Sequence, residues 1–298
     1  MPEEGLTWMP RDELLRYEEV VQVVRVMSRM GIQKVRLTGG EPTLRSDIEA
    51  LIAGIAALPG ISDLAMTTNG HTLPQLAERL AKAGLNRVNI SIDSVDADRF
   101  ERLTRGGDLS RVLAGIAAAR KAGLTPIRLN AVVLAGENED DLFEMVETFA
   151  PHAADTELRF IEYMPFEMRR YQSVPAATLR ARLAERYDIE PEASPSSTGG
   201  PARYWRIKQT GLRVGFISPL SEHFCASCNR LRLMVDGHLR TCLAHEDTPS
   251  LRDLIRQGAD DAGLEAAIRA MVLGKPSGHD CQIDGGTLFE GVMTAIGG

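Results

Sequence analysis

Five apolar, β-rich runs recur along the first half of the chain: KVRLTGG (34–40), DLAMTTNG (63–70), RVNISID (87–93), IRLNAVV (127–133) and LRFIEYM (158–164). Helical patterns fill the gaps, at about 44–58, 73–83, 110–122 and 138–150. Strand then helix, repeated at this spacing, restricts the chain to parallel α/β architecture, because each parallel strand needs a crossover that packs back on the sheet. The runs read as continuous apolar strands, buried on both faces beneath amphipathic helices.

Polar residues gather where these runs end. Gly39-Gly40-Glu41-Pro42, Thr67-Thr68-Asn69-Gly70, Ser91 with Asp93, Arg128 with Asn130, and Glu162 to Met164 all lie at the C-terminal ends of strands. In barrels and open α/β sheets that edge binds ligands. Five such stretches on one edge point to a shared site.

The start of the chain breaks the pattern. Residues 10–30, PRDELLRYEEVVQVVRVMSRM, read as one helix, with Pro10 and Asp12 in its first turns. No strand precedes it, although a parallel unit feeds a strand into its helix. The edge near 34–40 is therefore expected to be open and prone to aggregation.

Past residue 165 the pattern changes. A helix is expected at 175–186, then a loop, EASPSSTGGPARY. YWRI (204–207) and RVGFIS (213–218) read as an antiparallel pair, and RLRLMVDGHLRTC as strand, Asp-Gly turn, strand. Helices near 249–257 and 261–273 lead to a glycine-rich tail. The expected division is a partial barrel over 1–165 and a C-terminal α+β extension over 166–298.

Within the extension, FCASCNRLRLMVDGHLRTC holds Cys225, Cys228 and Cys242. A structural zinc site is closed by four protein ligands, and Cys281, His223, His238 or His245 could be the fourth. A [4Fe–4S] cluster with three cysteines instead keeps one iron open for a substrate atom. Both metals fit the spacing. Arg230 and Arg232 alternate with Leu231 and Leu233, so both guanidiniums face one side, as phosphate recognition requires. His71, His152 and His279 read as surface or packing residues.

Charge and hydropathy exclude other classes. A net charge of -7 argues against a general nucleic-acid surface. No run of 18 apolar residues suggests a membrane span, and MPEEGLTWMPRDELL lacks a signal core, so a cytoplasmic location is expected.

Taken together, KVRLTGGEPTLR, TTNG, RVNISIDS, RLNAVV, RFIEYMP, GPARY and FCASCNRLRLMVDGHLRTCL resemble the molybdenum-cofactor biosynthesis protein A family. These are GTP 3',8-cyclases of the radical S-adenosylmethionine superfamily. The resemblance runs through almost the whole chain in order. It implies an incomplete parallel TIM-like barrel with a [4Fe–4S] cluster at each end. One cluster cleaves S-adenosylmethionine, and the 5'-deoxyadenosyl radical takes the C3' hydrogen of GTP. The C3' radical then attacks C8, giving 3',8-cyclo-7,8-dihydro-GTP.

By resemblance, Gly39, Gly40, Glu41, Ser91 and Met164 bind S-adenosylmethionine. Arg36, Thr67, Arg128, Arg230, Leu231 and Arg232 bind GTP, with Arg128 standing where the family has lysine. Cys225, Cys228 and Cys242 hold the substrate-side [4Fe–4S] cluster. No residue is assigned as an acid–base catalyst, since the cofactor does the radical step. The partners implied are GTP, an unidentified electron donor, a second copy in a homodimer and the next enzyme of the pathway, with neither nucleic acid nor membrane.

Two departures shape the expectation. The family's C-x3-C-x2-C motif and first barrel strand would precede MPEEGLTWMPRDELL, and no cysteine occurs among residues 1–224. The barrel is therefore expected to lack its first strand and the chain as it stands to be inactive; the alternative is a non-catalytic GTP- and cluster-binding relative or fragment. At the tail, Gly291 and Val292 replace an Arg-Pro pair, while Met293 and Gly297-Gly298 match the family.

Overall fold

The computed structural model describes residues 9–165, 171–192, 200–243 and 249–279. Alternation within the strands governs the architecture. In IRLNAVV, Ile127, Leu129, Ala131 and Val133 are buried on one face, while Arg128 and Asn130 take the other. The same period runs through RVNIS and TELRFIE. The expectation of strands apolar on both faces is thus corrected. One face is apolar and meets helices; the other is polar and lines a lumen.

Five strands run parallel in chain order: β1 (Lys34–Leu37), β2 (Asp63–Thr68), β3 (Arg87–Ser91), β4 (Ile127–Val133) and β5 (Thr156–Glu162). Between them, α2 (Ile48–Ala56), α3 (Leu73–Lys82), α5 (Leu109–Lys121) and α6 (Leu142–Phe149) follow α1 (Tyr17–Arg29). Their apolar faces, with Ile52, Ile55, Leu80 and Val112 among them, share one core with Met66, Ile90 and Leu129 of the strands. A further helix, α4 (Ala97–Thr104), stands before α5; the Asp96 side chain caps it by accepting from Arg99 N–H.

After α7 (Ala176–Ala184) come β6 (Ile189–Glu192), β7 (Arg203–Ile207) and β8 (Arg213–Ile217). The expected antiparallel pair forms as β7 and β8, and β8 also pairs parallel with β5. Six parallel strands result, with β7 and β6 added antiparallel, in the order β1-β2-β3-β4-β5-β8-β7-β6. This is a partial TIM-like barrel whose sheet continues across residue 165. β6, which the sequence reading missed, carries Pro191 at the edge, where a missing N–H does no harm.

The first helix starts later than expected. Arg11–Glu13 form a 3-10 turn, the chain extends through Leu14, and α1 begins at Tyr17. Leu15 is buried and its N–H bonds Val235 O, which holds the segment against the C-terminal hairpin. Rather than capping an end, α1 packs on two sides. Val24 joins the barrel core, while Val23, Val26 and Met27 join a second core with Leu239, Leu251 and Ile268. Each such side chain contributes roughly 1.5–3 kcal/mol when fully buried, so α1 is the hydrophobic joint between barrel and hairpin. That hairpin is β9 (Arg232–Leu233) with β10 (Leu239–Arg240), backed by α8 (Leu251–Arg256) and α9 (Asp261–Leu273).

Candidate active site in the barrel lumen

Strand register sorts the lumen into layers. Arg36, Ala65 and Arg87 stand side by side on β1 to β3. Thr67, Asn89, Arg128, Glu157 and Arg213 form the next layer, and Ser91, Asn130, Arg159, Gly215 and Tyr204 the layer above. A cavity of about 500 Å³ opens at the N-terminal ends of the strands, lined by Lys34, Asp63, Arg87, Arg128, Glu157 and Arg213 among others. Arg128, expected at the C-terminal end of its strand, is instead the second residue of β4, because that strand runs on to Val133.

Part of this charge is internally balanced. Arg87 forks onto Asp63 at 2.9 and 2.7 Å. Arg128 Nε donates to Glu157 at 2.8 Å, and Arg213 Nη1 to the other Glu157 oxygen at 2.5 Å. Tyr204 donates to Glu157 at 2.9 Å and accepts from Arg159 Nε at 2.7 Å. Burial favours the neutral acid, but Arg128 and Arg159 hold the Glu157 carboxyl below its usual range. Gly215 makes room for this network: a Cβ there would stand 2.9 Å from the Tyr204 ring.

Other cations have no carboxylate among the described residues. Arg36 is open to the lumen yet surrounded by protein; desolvation, then Arg159, Arg87, Arg128 and Arg230, push its pKa down to about 9. Arg232 is desolvated and faces Arg230, which pushes it to about 10 despite the nearby Cys228 and Cys242 thiols. Arg230 lies over the Phe224 ring at 4.9 Å. Guanidiniums with no carboxylate beside them among the described residues, crowded by like charge at the edge of the lumen, make an anion site.

The cysteines sit beside these arginines. Cys225–Ser227 form one 3-10 turn, with Cys228 N–H bonding Cys225 O at 3.0 Å, so the C-x2-C thiols are one turn apart. Cys242 follows β10, and the hairpin brings it back beside Arg232. Burial raises the Cys228 thiol, but the backbone and side chain of Arg230 and the Lys275 ammonium hold it below its usual value. Gly200 and Pro201 of the GPARY stretch line a small pocket with Cys228 and Arg230. Leu231, between the arginines, packs into the second core.

At the opposite ends of the strands, Gly39 adopts φ +149, and a Cβ on Gly39 or Gly40 would meet nothing within 4 Å. That is open space against bare backbone. Glu41 ties β1 to β2: Oε1 accepts from Thr43 N–H, Thr43 Oγ1 and Thr68 Oγ1, and Oε2 from Asn69 N–H. Thr67 Oγ1 accepts from Asn89 at 3.1 Å. Ser91 ends β3 exposed, and its neighbour Asn130 keeps a buried Oδ1 with no hydrogen bond. Asp93 is pushed up to about 6 by burial, although Val132 N–H donates to it. Met164 follows β5, half-buried.

Of the fourth-ligand candidates, His223 stands near Cys225, whereas His238 bonds Asp236 of its own turn at 3.1 Å. Cys281 and His245, like the tail residues Gly291, Val292, Met293 and Gly297-Gly298, lie outside the described residues. Sequence reading missed Lys34, Arg87 and Arg159 as lumen residues. The signal was present, since each falls in alternation with the polar residues of its strand.

Two family descriptions match the chain: Radical SAM superfamily over residues 3–149 and Molybdenum Cofactor Synthesis C over 156–281. The chain is 46% identical over 304 residues to a GTP 3',8-cyclase of Pseudomonas putida (strain W619), covering 99% of this chain and 89% of that protein. It is 45% identical over 288 residues to a GTP 3',8-cyclase of Rhodopseudomonas palustris (strain TIE-1), covering 94% and 82%. Among solved structures, Streptococcus suis SuiB bound to S-adenosylmethionine aligns with a TM-score of 0.60 at 20% identity, over 86% of this chain and 61% of that one. That likeness shows a shared fold. Among the described residues no helix is long and apolar enough to cross a membrane.

Proposed function

The chain belongs to the GTP 3',8-cyclase family, and from that premise we propose that its lumen binds GTP and converts it to 3',8-cyclo-7,8-dihydro-GTP in molybdenum cofactor biosynthesis. The observation that carries this reading is the convergence of Arg36, Arg230 and Arg232, without carboxylate partners among the described residues, on one lumen of an acidic protein. A triphosphate supplies the missing counter-charge.

The residues present fit the groups such an enzyme uses. Cys225, Cys228 and Cys242 would hold a [4Fe–4S] cluster; the lowered Cys228 thiol and the ammonium aimed at it suit a thiolate ligand. Bound there, the cluster supplies an open iron for a guanine ring atom. The bare backbone at Gly39 and Gly40, the remaining capacity of Glu41 Oε2 and the unpartnered Asn130 Oδ1 fit the polar end of S-adenosylmethionine. That cofactor supplies hydrogen-abstracting radical chemistry. Arg36, Arg230 and Arg232 fix the phosphates, and Arg128 is aimed into the lumen by Glu157. Thr67 lines the wall between the two ends, and Ser91, exposed at the end of β3, stands at the S-adenosylmethionine end.

No cysteine precedes Cys225, so ligands for a second, radical-generating cluster are not among these 298 residues. Anaerobic reconstitution of these residues is expected to give about four iron atoms per chain. A version extended by a C-x3-C-x2-C segment is expected to give about eight, with 5'-deoxyadenosine and the cyclised nucleotide as products. In either version, Arg36→Gln should weaken GTP binding about tenfold or more, as loss of a charge-assisted contact predicts, and leave guanosine binding unchanged. Equal GTP affinity in the variant and the parent would sink the phosphate assignment.

A further inference from the structure

We propose that His223, Cys225 and His279 form a binding site for a divalent transition metal, Zn2+ by its donor set, when Cys225 is not engaged by a cluster. The site is independent of the GTP reading, since it needs no nucleotide.

The nitrogen and sulfur donors of these three residues all lie within 4.8 Å of one another. The two imidazoles stand with ring centroids 4.9 Å apart. The residues come from distant stretches: His223 and Cys225 flank the start of the 3-10 turn, whereas His279 lies beyond the end of α9. Other contacts hold these stretches together. Lys275 Nζ donates to Cys228 O at 2.9 Å and Arg230 O at 3.0 Å. Gly278 lies against Cys225, where an added Cβ would stand 3.6 Å from Cys225 Cβ and 3.8 Å from Sγ. The donors are therefore gathered before any ion arrives. The proposal gives His279 a role beyond the surface or packing one expected from the sequence.

Chemistry selects the ion. Two imidazoles and one thiolate exclude the oxygen-seeking Mg2+ and Ca2+ and suit Zn2+ or copper; under reducing conditions, where Cu2+ does not persist, Zn2+ is the divalent ion of choice. With bonds of about 2.0–2.3 Å, tetrahedral ligands stand roughly 3.3–3.8 Å apart. A span of 4.8 Å closes by a side-chain shift of about an ångström. The fourth position is left to water, as in zinc sites with three protein ligands. Binding releases the Cys225 thiol proton. Because one thiolate cannot ligate both, Zn2+ and a cluster on Cys225 exclude each other.

The test uses the full chain in a Cys281→Ser background, stripped by chelator under anaerobic, reducing conditions. Zn2+ is added and the metal's first shell read by X-ray absorption. Two nitrogen donors and one sulfur are expected; a shell of three sulfurs without imidazole overturns the proposal. Titration with Co2+ as a visible probe should give about one ion per chain with a thiolate-to-cobalt band. His223→Ala and His279→Ala should each weaken Co2+ binding at least tenfold, while the far-ultraviolet circular dichroism stays that of the parent. Unchanged Co2+ affinity in both variants would equally overturn it.

Discussion

Lys275 stands 3.8 Å from Cys228 Sγ while donating to the backbone oxygens on both sides of Asn229. One ammonium thus fixes the loop that carries Cys228 and Arg230, the residues proposed above to hold the cluster and the phosphates. It also places positive charge against the thiolate, which burial alone would disfavour.

Replacing Lys275 by Met should therefore act at both places. Without the cation, the reconstituted cluster is harder to reduce, and its potential should fall by roughly tens of millivolts. Arg230 loses its tether, so GTP affinity should drop several-fold. Lys275→Arg should restore most of the potential. A redox titration followed by electron paramagnetic resonance decides the matter; a potential equal to the parent's would refute the electrostatic role.

The joint between barrel and hairpin makes a second prediction. Arg256 forks onto Glu19 at 2.9 and 3.1 Å, and Arg16 N–H donates to the same carboxylate. Burial would raise the Glu19 carboxyl, but these donors pull it down to about 2. A depressed carboxyl contributes stability above its unfolded pKa, and that contribution fades as pH falls from about 4.5 towards 2. Glu19→Gln should cost about 1–2 kcal/mol at neutral pH. The gap between parent and variant, from urea unfolding at pH 7 down to 3, should narrow only below about 4.5. A gap that stays constant over that range would count against the pair.

The parallel fold was legible because βα spacing is a long-range rhythm that survives local ambiguity. The lumen was harder to read. RVNIS and IRLNAVV look apolar when only Val, Ile and Leu are counted, yet Arg87, Asn89, Arg128 and Asn130 occupy every second position. Missing that alternation hid Arg87 and Arg159 as lumen residues. The strand-end motifs were visible because glycines, threonines and the glutamate punctuate strands. The pairing of β8 with β5, and of His279 with His223, joins residues dozens of positions apart. No local pattern encodes such contacts. The late start of α1 had a tertiary cause, since Leu15 is drawn to Val235 of the hairpin.

Gly237 sets the position of Cys242, and this gives the last prediction. Its φ is +91, and a Cβ there would lie 2.4 Å from Arg252 Cβ and 2.7 Å from Arg252 N. The Gly237 carbonyl also accepts Leu251 N–H at 2.8 Å, so α8 docks directly on the turn between β9 and β10. Gly237→Ala must either strain the turn or push α8 away. Left-handed backbone costs about 1–2 kcal/mol for a residue with a Cβ, and overpacking about 1–3 more. The damage should be local, because the barrel core is built from other residues. Hydrogen exchange is expected to quicken in 232–242 while β1 to β5 keep their protection. Iron content after reconstitution should fall well below about four per chain, since Cys242 loses its fixed place beside Arg232. A variant that takes up the parent's iron and protects the hairpin equally would show that α8 yields without cost.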